Sequence, residues 1–195
     1  MASQHNHALI LAGGRGTRFW PHSRKRSAKQ VLKFFGDRSL IQQTVDRLRP
    51  MFAPERMWVL TNEHVRDEIM RQLPEIPKAQ IFAEPAQRNT ASILGLAAHM
   101  LHSIDADAVM AVFSADQLID KPGRYRALLK PALRAAAQGD IAVLGIQPRW
   151  PETGFGYIEF PKGVEAGALK TWPVLKFREK PDQKTAERFV KQGRF

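Results

Sequence analysis

Apolar residues along this chain follow two alternating rhythms: short unbroken runs, and longer stretches where they return every three or four positions. Residues 8–12, 56–61, 80–83, 108–113 and 141–146 have the length and composition of strands. The unbroken run at 108–113 predicts the central strand of a parallel sheet, and 141–146 predicts another buried strand. Ser39-Leu-Ile-Gln42 reads as a capping box that opens a helix to about Met51, with Leu40, Thr44, Val45 and Leu48 on one face. Asn62 can cap a helix carrying Val65, Ile69, Met70 and Leu73, which Pro74 stops. Residues 90–103, almost wholly apolar, predict a buried helix, and residues 122–138 predict one broken or bent at Pro131. Strand followed by helix, repeated, argues for an α/β fold with a mostly parallel sheet sandwiched by helices.

The rhythm changes after Gln147. Pro148, Pro151, Gly154 and Gly156 mark a loop, and residues 157–160 and 174–178 predict two strands of a hairpin. Asp182 caps a last helix with Ala186, Phe189 and Val190 as its apolar face. The expectation is one domain over 1–195, with a first part at 1–147 and the start of a second at 148–195. The chain of 195 residues, 44% hydrophobic, can bury a full core. It has no cysteine, so neither a disulfide framework nor a thiolate metal site is available. No apolar run approaches the ~20 residues that cross a bilayer, and residues 1–7 are too polar for a secretory segment, so a cytoplasmic protein with no membrane partner is expected. A net charge of +11 favours acidic ligands without choosing among them.

The first strand empties into Gly13, Gly14 and Gly16, with Arg15, Arg18, Arg24, Lys25, Arg26, Lys29 and Lys33 around and beyond them. Glycines let backbone N–H groups converge on an anion, and the cations supply countercharge, so this is written as a phosphate site rather than a plain turn. The hydrolase loop G-x-x-x-x-G-K-[ST] is absent, because Gly16 is followed by Thr17 and Arg18. The dinucleotide fingerprint fails too, since its third glycine position is Phe19.

In an open parallel sheet, ligands bind beyond the carboxyl ends of the strands, so the strand exits collect the site. They are the glycine loop, Glu84-Pro-Ala-Gln-Arg-Asn-Thr90 and Ser114-Ala-Asp116-Gln117, followed along the chain by Thr153-Gly-Phe-Gly-Tyr-Ile158 and Arg178-Glu-Lys-Pro-Asp182. With LILAGGRGTRFWP and the KQ pair at Lys29-Gln30, these ordered blocks resemble the sugar-1-phosphate nucleotidyltransferases, and within them the mannose-1-phosphate guanylyltransferases. Two departures are Ala28, where the family usually has Pro, and Gln117, where it often has His.

The resemblance implies a Rossmann-like nucleotide-diphospho-sugar transferase fold, of which this chain would be an N-terminal part, and Mg²⁺ as cofactor. It implies GTP and mannose 1-phosphate as substrates. Arg18, Lys29 and Asp116 would be catalytic, with Asp116 also the metal ligand. Leu11, Ala12, Gly13, Gly14, Gly16, Thr17, Arg18, Glu84, Arg88 and Asn89 would bind the nucleotide. Gly156, Glu179 and Lys180 would bind the sugar phosphate. Thr90 reads equally as a helix N-cap. Another nucleoside triphosphate or sugar 1-phosphate, or a basic nucleotide- or nucleic-acid-binding domain without catalysis, are the alternatives. Trp20, Trp58, Trp150 and Trp172 are scattered rather than interleaved with basic residues, which argues against a nucleic-acid platform. His99 and His102 lack a third ligand at metal spacing, and His5 and His7 are expected in a floppy start. A homodimer is left open.

Overall fold

The computed structural model describes residues 4–14, 28–84, 89–165 and 167–195, and of Asn89 the backbone only. It divides into two compact units, Met1–Pro122 and Gly123–Phe195. In the first, β1 (Asn6–Leu11), β2 (Met57–Asn62), β3 (Ile81–Glu84) and β4 (Val109–Ser114) form a parallel sheet in the order β3-β2-β1-β4. The helices are α1 (Leu40–Leu48), α2 (Glu63–Gln72) and α3 (Asn89–Ile104). Because successive strand residues face opposite ways, Leu9, Leu60 and the partly buried Leu11, Trp58, Phe82 and Met110 share one face, where Ile93 and Ala97 of α3 pack on them. Ile10, Val59, Ile81 and Phe113 lie in register on the other face, and Phe113 meets Phe52 edge-on at 5.9 Å. α2 packs along β2 and β3.

Local chemistry sets the helix starts as the sequence predicts. Ser39 N donates to Gln42 Oε1 at 3.0 Å and Gln42 N to Ser39 Oγ at 3.4 Å, the two halves of a capping box on α1. Asn62 Oδ1 accepts from His64 N at 3.0 Å and caps α2. α3 begins at Asn89, which places Thr90 in its first turn rather than at its cap.

Four expectations are corrected. β4 is an edge of the sheet among the described residues, with Val112 40% exposed; the central strands are β1 and β2. α3 is not buried all round: Ile93, Ala97 and Leu101 are, while Leu96 and Ile104 are 49% and 60% exposed. A helix laid on one sheet face buries one stripe, here spaced i, i+4, i+8, whatever its other residues are. Residues 141–146 form no strand, and Ile141 is 95% exposed, since an apolar run becomes a strand only where a sheet edge pairs with it. His7 is not in a floppy start: it is buried in β1, accepts from Trp58 Nε1 at 3.2 Å and lies 3.3 Å from Asp105 Oδ2. That anchorage starts β1 at Asn6. Burial holds His7 below the usual histidine pKa, against the raising effect of its bond to Asp105.

In the second unit, α4 (Pro122–Ala136, whose first residue ends the first unit) runs unbroken through Pro131. β5 (Gly156–Glu159) and β6 (Lys176–Glu179) pair antiparallel, and α5 (Gln183–Gln192) is capped by Asp182, whose Oδ1 accepts from Thr185 N at 2.8 Å. Tyr157, Ala186 and Phe189 make a small core, and Phe195 stacks on Phe189 with centroids 3.9 Å apart. Among the described residues, no helix is long and apolar enough to cross a membrane.

Candidate functional site

The carboxyl ends of the parallel strands bring together the turn after β1, the end of β3 and the segment after β4. Ala115 N donates to Leu11 O at 3.0 Å, so the exits of β1 and β4 leave the sheet side by side. Asp116, two residues past β4, pairs with Lys29 through Oδ2 and accepts from Ser114 Oγ through Oδ1. Lys29 opens a single 3-10 turn, Lys29–Val31, reached through Ala28. Ala28 is buried with φ −69°, the value a proline ring would impose, so the departure from the family pattern leaves the backbone on a proline-like path.

Three side chains hold the glycine turn in place. Gln30 Nε2 donates to Ala12 O and, at 3.2 Å, to Gly14 O. Thr61 Oγ1 donates to Ala12 O at 3.2 Å, and Asn62 Nδ2 to Gly13 O at 3.1 Å. A Cβ built on Gly13 would stand 2.9 Å from Glu84 Oε1, whereas one on Gly14 would meet nothing within 4 Å among the described residues. Gly13 is therefore the position where the carboxylate of β3 comes close to the turn.

The two carboxylates differ electrostatically. Burial pushes Asp116 up, but the hydrogen bonds from Lys29 and Ser114 and the lysine charge outweigh it and leave the group below the ordinary aspartate range. Asp116 is thus ionised at neutral pH. Glu84 is raised by burial, so folding disfavours its charged form. Its folded-state pKa lies above the unfolded one, and its contribution to stability is present at low pH and lost as pH rises through the folded value. Glu84→Gln is therefore expected to raise the urea midpoint at neutral pH, with the gain disappearing in acid; equal midpoints at neutral pH would refute this.

Leu11, Ala12, Gly13, Gly14, Lys29, Glu84 and Asp116 are gathered at this sheet edge. Gly16, Thr17, Arg18 and Arg88 lie outside the described residues, as does the side chain of Asn89. Gly156, Glu179 and Lys180 belong to the second unit. There Gly156 pairs with Glu179 across β5 and β6, and the ring of Phe177 fills the space a Cβ would take. Lys180 adopts a left-handed φ of 44°, rarely held by a residue with a side chain, and its Nζ lies 3.1 Å from Glu179 Oε1. Sequence reasoning assigned no site role to Thr61, Asn62 or Ser114 and met Gln30 only inside a motif. The exit of β2 is the signal for two of them, because strand exits collect the rest of the site and Thr61-Asn62 is where β2 ends. No group of three or more His, Cys, Asp or Glu side chains that could hold a metal ion occurs among the described residues.

A sequence-family profile described as nucleotidyl transferase matches residues 7–195. A mannose-1-phosphate guanylyltransferase of Klebsiella pneumoniae is 36% identical over 189 residues, covering 96% of this chain and 40% of that protein. The alginate biosynthesis protein AlgA of Pseudomonas fluorescens is 38% identical over 195 residues, covering 95% of this chain and 38% of that protein. The chain thus spans about two fifths of the length of these curated relatives. A solved structure from Thermus thermophilus, described as a mannose-1-phosphate geranyltransferase, superposes with TM-score 0.80 at 32% identity, covering 97% of this chain and 54% of that one.

Proposed function

The chain belongs to the nucleotidyl transferase family, and from that premise we propose that it carries the nucleotide site of an enzyme joining GTP to mannose 1-phosphate. The products are GDP-mannose and pyrophosphate, and the printed name of the Klebsiella pneumoniae relative, mannose-1-phosphate guanylyltransferase, supports this choice of substrates. The observation that carries the reading is the meeting of the Gly13-Gly14 turn, Lys29 and the ionised Asp116 at one edge of a parallel sheet.

In the reaction an oxygen of the sugar phosphate attacks the α-phosphorus of GTP, the bond from that phosphorus to the bridging oxygen breaks, and pyrophosphate leaves with the electron pair. No covalent protein intermediate is required, so the chain's work is positioning and neutralising charge. The glycine turn, with Leu11 and Ala12 leading into it and Gly16 and Thr17 following, cradles the phosphates. Arg18 grips them bidentately, and Lys29 brings a mobile point charge to the leaving pyrophosphate. Glu84, Arg88 and Asn89 are assigned to nucleoside recognition. Gly156, Glu179 and Lys180 take the sugar phosphate, within a division into a nucleotide half at 1–147 and an acceptor part from 148.

Asp116 suits a magnesium ion, because a hard dication prefers an ionised carboxylate and this one is held below its usual pKa. When bound, Mg²⁺ supplies neutralisation of phosphate charge. A cytoplasmic location is part of the same reading.

Incubation with GTP, mannose 1-phosphate and Mg²⁺ should release pyrophosphate and GDP-mannose in equal amounts. Steeply salt-dependent binding to duplex DNA, with no binding of GTP, would favour a nucleic-acid-binding domain and overturn the reading.

A further inference from the structure

The peptide carbonyls of Ala12, Gly13 and Gly14 are all engaged by side chains from behind the turn. Thr61 and Gln30 hold the first, Asn62 the second and Gln30 the third. Gln30 and Thr61 are buried, so their bonds to Ala12 O form away from competing water, while the ties to Gly13 O and Gly14 O are part-buried. Asn62 is the versatile member. Its Oδ1 caps α2 while its Nδ2 holds Gly13 O, two tasks that need an acceptor and a donor on one side chain. Asp lacks the donor, and the shorter Ser carries donor and acceptor on one oxygen that cannot stand at the positions of both Oδ1 and Nδ2.

The consequence follows from peptide geometry. A trans peptide is planar, so fixing a carbonyl also fixes the opposed N–H of the same plane. Glycine imposes little steric preference on its neighbouring planes, and an untied Gly13-Gly14 peptide can rotate to present its carbonyl oxygen to an anion. Oxygen dipoles aimed at phosphates repel them, whereas amide hydrogens attract them.

We infer that Asn62, backed by Gln30 and Thr61, is a positioning residue that keeps the carbonyls of this turn directed away from the triphosphate. This deepens, and rests on, the reading of the turn as the triphosphate site. Asn62 itself touches no reacting atom and acts through the peptide between Gly13 and Gly14.

The test is Asn62→Ser, which keeps a neutral, effective N-cap and removes the amide that reaches Gly13 O. Titration calorimetry with GTP and with guanosine, both in Mg²⁺, separates phosphate grip from base recognition. The expected result is GTP binding weakened by about tenfold, as for loss of one well-placed hydrogen-bond tie. Guanosine binding should stay within about twofold, as should the urea midpoint relative to wild type, since the cap is retained. In turnover, KM for GTP should rise more than kcat falls. Gln30→Met, which removes the other amide without changing bulk much, should show the same selectivity for GTP.

GTP affinity unchanged in a folded Asn62→Ser variant overturns the inference, and so does an equal loss for GTP and guanosine, which marks general loosening. Should Asn62→Ser not fold although its cap is retained, Gln30→Met decides in its place: GTP affinity unchanged in that variant, or lost equally with guanosine affinity, overturns the inference. A wild-type chain that binds guanosine or GTP nowhere instead refutes the proposed function itself, a result distinct from either variant outcome.

Discussion

Asp116→Asn is expected to reduce pyrophosphate release by about 10³-fold while leaving a folded protein. The substitution is nearly isosteric, so the bond from Ser114 can persist, but the charge that pairs with Lys29 and suits a divalent cation is gone. The pair is partly exposed, with side-chain accessibilities of 21% for Lys29 and 30% for Asp116. Its loss should therefore cost stability no more than about 1 kcal/mol. A coupled pyrophosphate assay alongside urea denaturation checks both halves. GTP binding should also lose its Mg²⁺ dependence in the variant. An active Asp116→Asn enzyme would assign the carboxylate to structure and leave the sheet edge without its acidic chemistry.

Lys29→Met is expected to lower turnover by about 10²-fold, through loss of a cation at the leaving pyrophosphate. It should also rewrite the pH dependence of stability. In the native protein, burial raises the pKa of Asp116 and Lys29 and Ser114 lower it further than burial raises it. The folded value thus lies below the unfolded one, and the ionised pair contributes stability above the unfolded pKa and loses it as pH falls through the folded value. In Lys29→Met the lysine's share of that lowering vanishes while burial remains. The stability gap between the two proteins should accordingly be widest near neutrality and close in acid, as followed by urea midpoints across that range. A gap independent of pH would separate Lys29 from Asp116 energetically. Because the two residues touch, the double variant should be less destabilised than the sum of the single ones.

Much of this architecture is legible from local chemistry. The capping box at Ser39 and Gln42, the caps at Asn62 and Asp182, and the strand leading into Gly13 depend on neighbours within a few positions and appear where the spacing predicts. The chemistry-bearing residues were legible for a related reason. Charge and glycine at strand exits are a local pattern, and parallel sheets place all their exits at one edge.

What local pattern could not decide is which apolar surfaces find partners. The runs at 108–113 and 141–146 look alike as short apolar strings, yet one joins the sheet as an edge strand and the other forms no strand among the described residues. The apolar α3 buries a single stripe. His7 became part of β1 through Trp58 and Asp105, residues about fifty and about a hundred positions away.

The amino-acid sequence by itself determined the strand-and-helix order from β1 to α4, the caps of α1, α2 and α5, the charge of the turn and the carboxylate beyond β4, because each is written in near neighbours. Only the tertiary structure decided that Asn62, Thr61 and Gln30 reach the glycine carbonyls, that Lys29 meets Asp116, and which apolar faces are covered. Those depend on how distant segments are brought side by side, and a side chain's partners across the fold are not encoded in the residues adjacent to it.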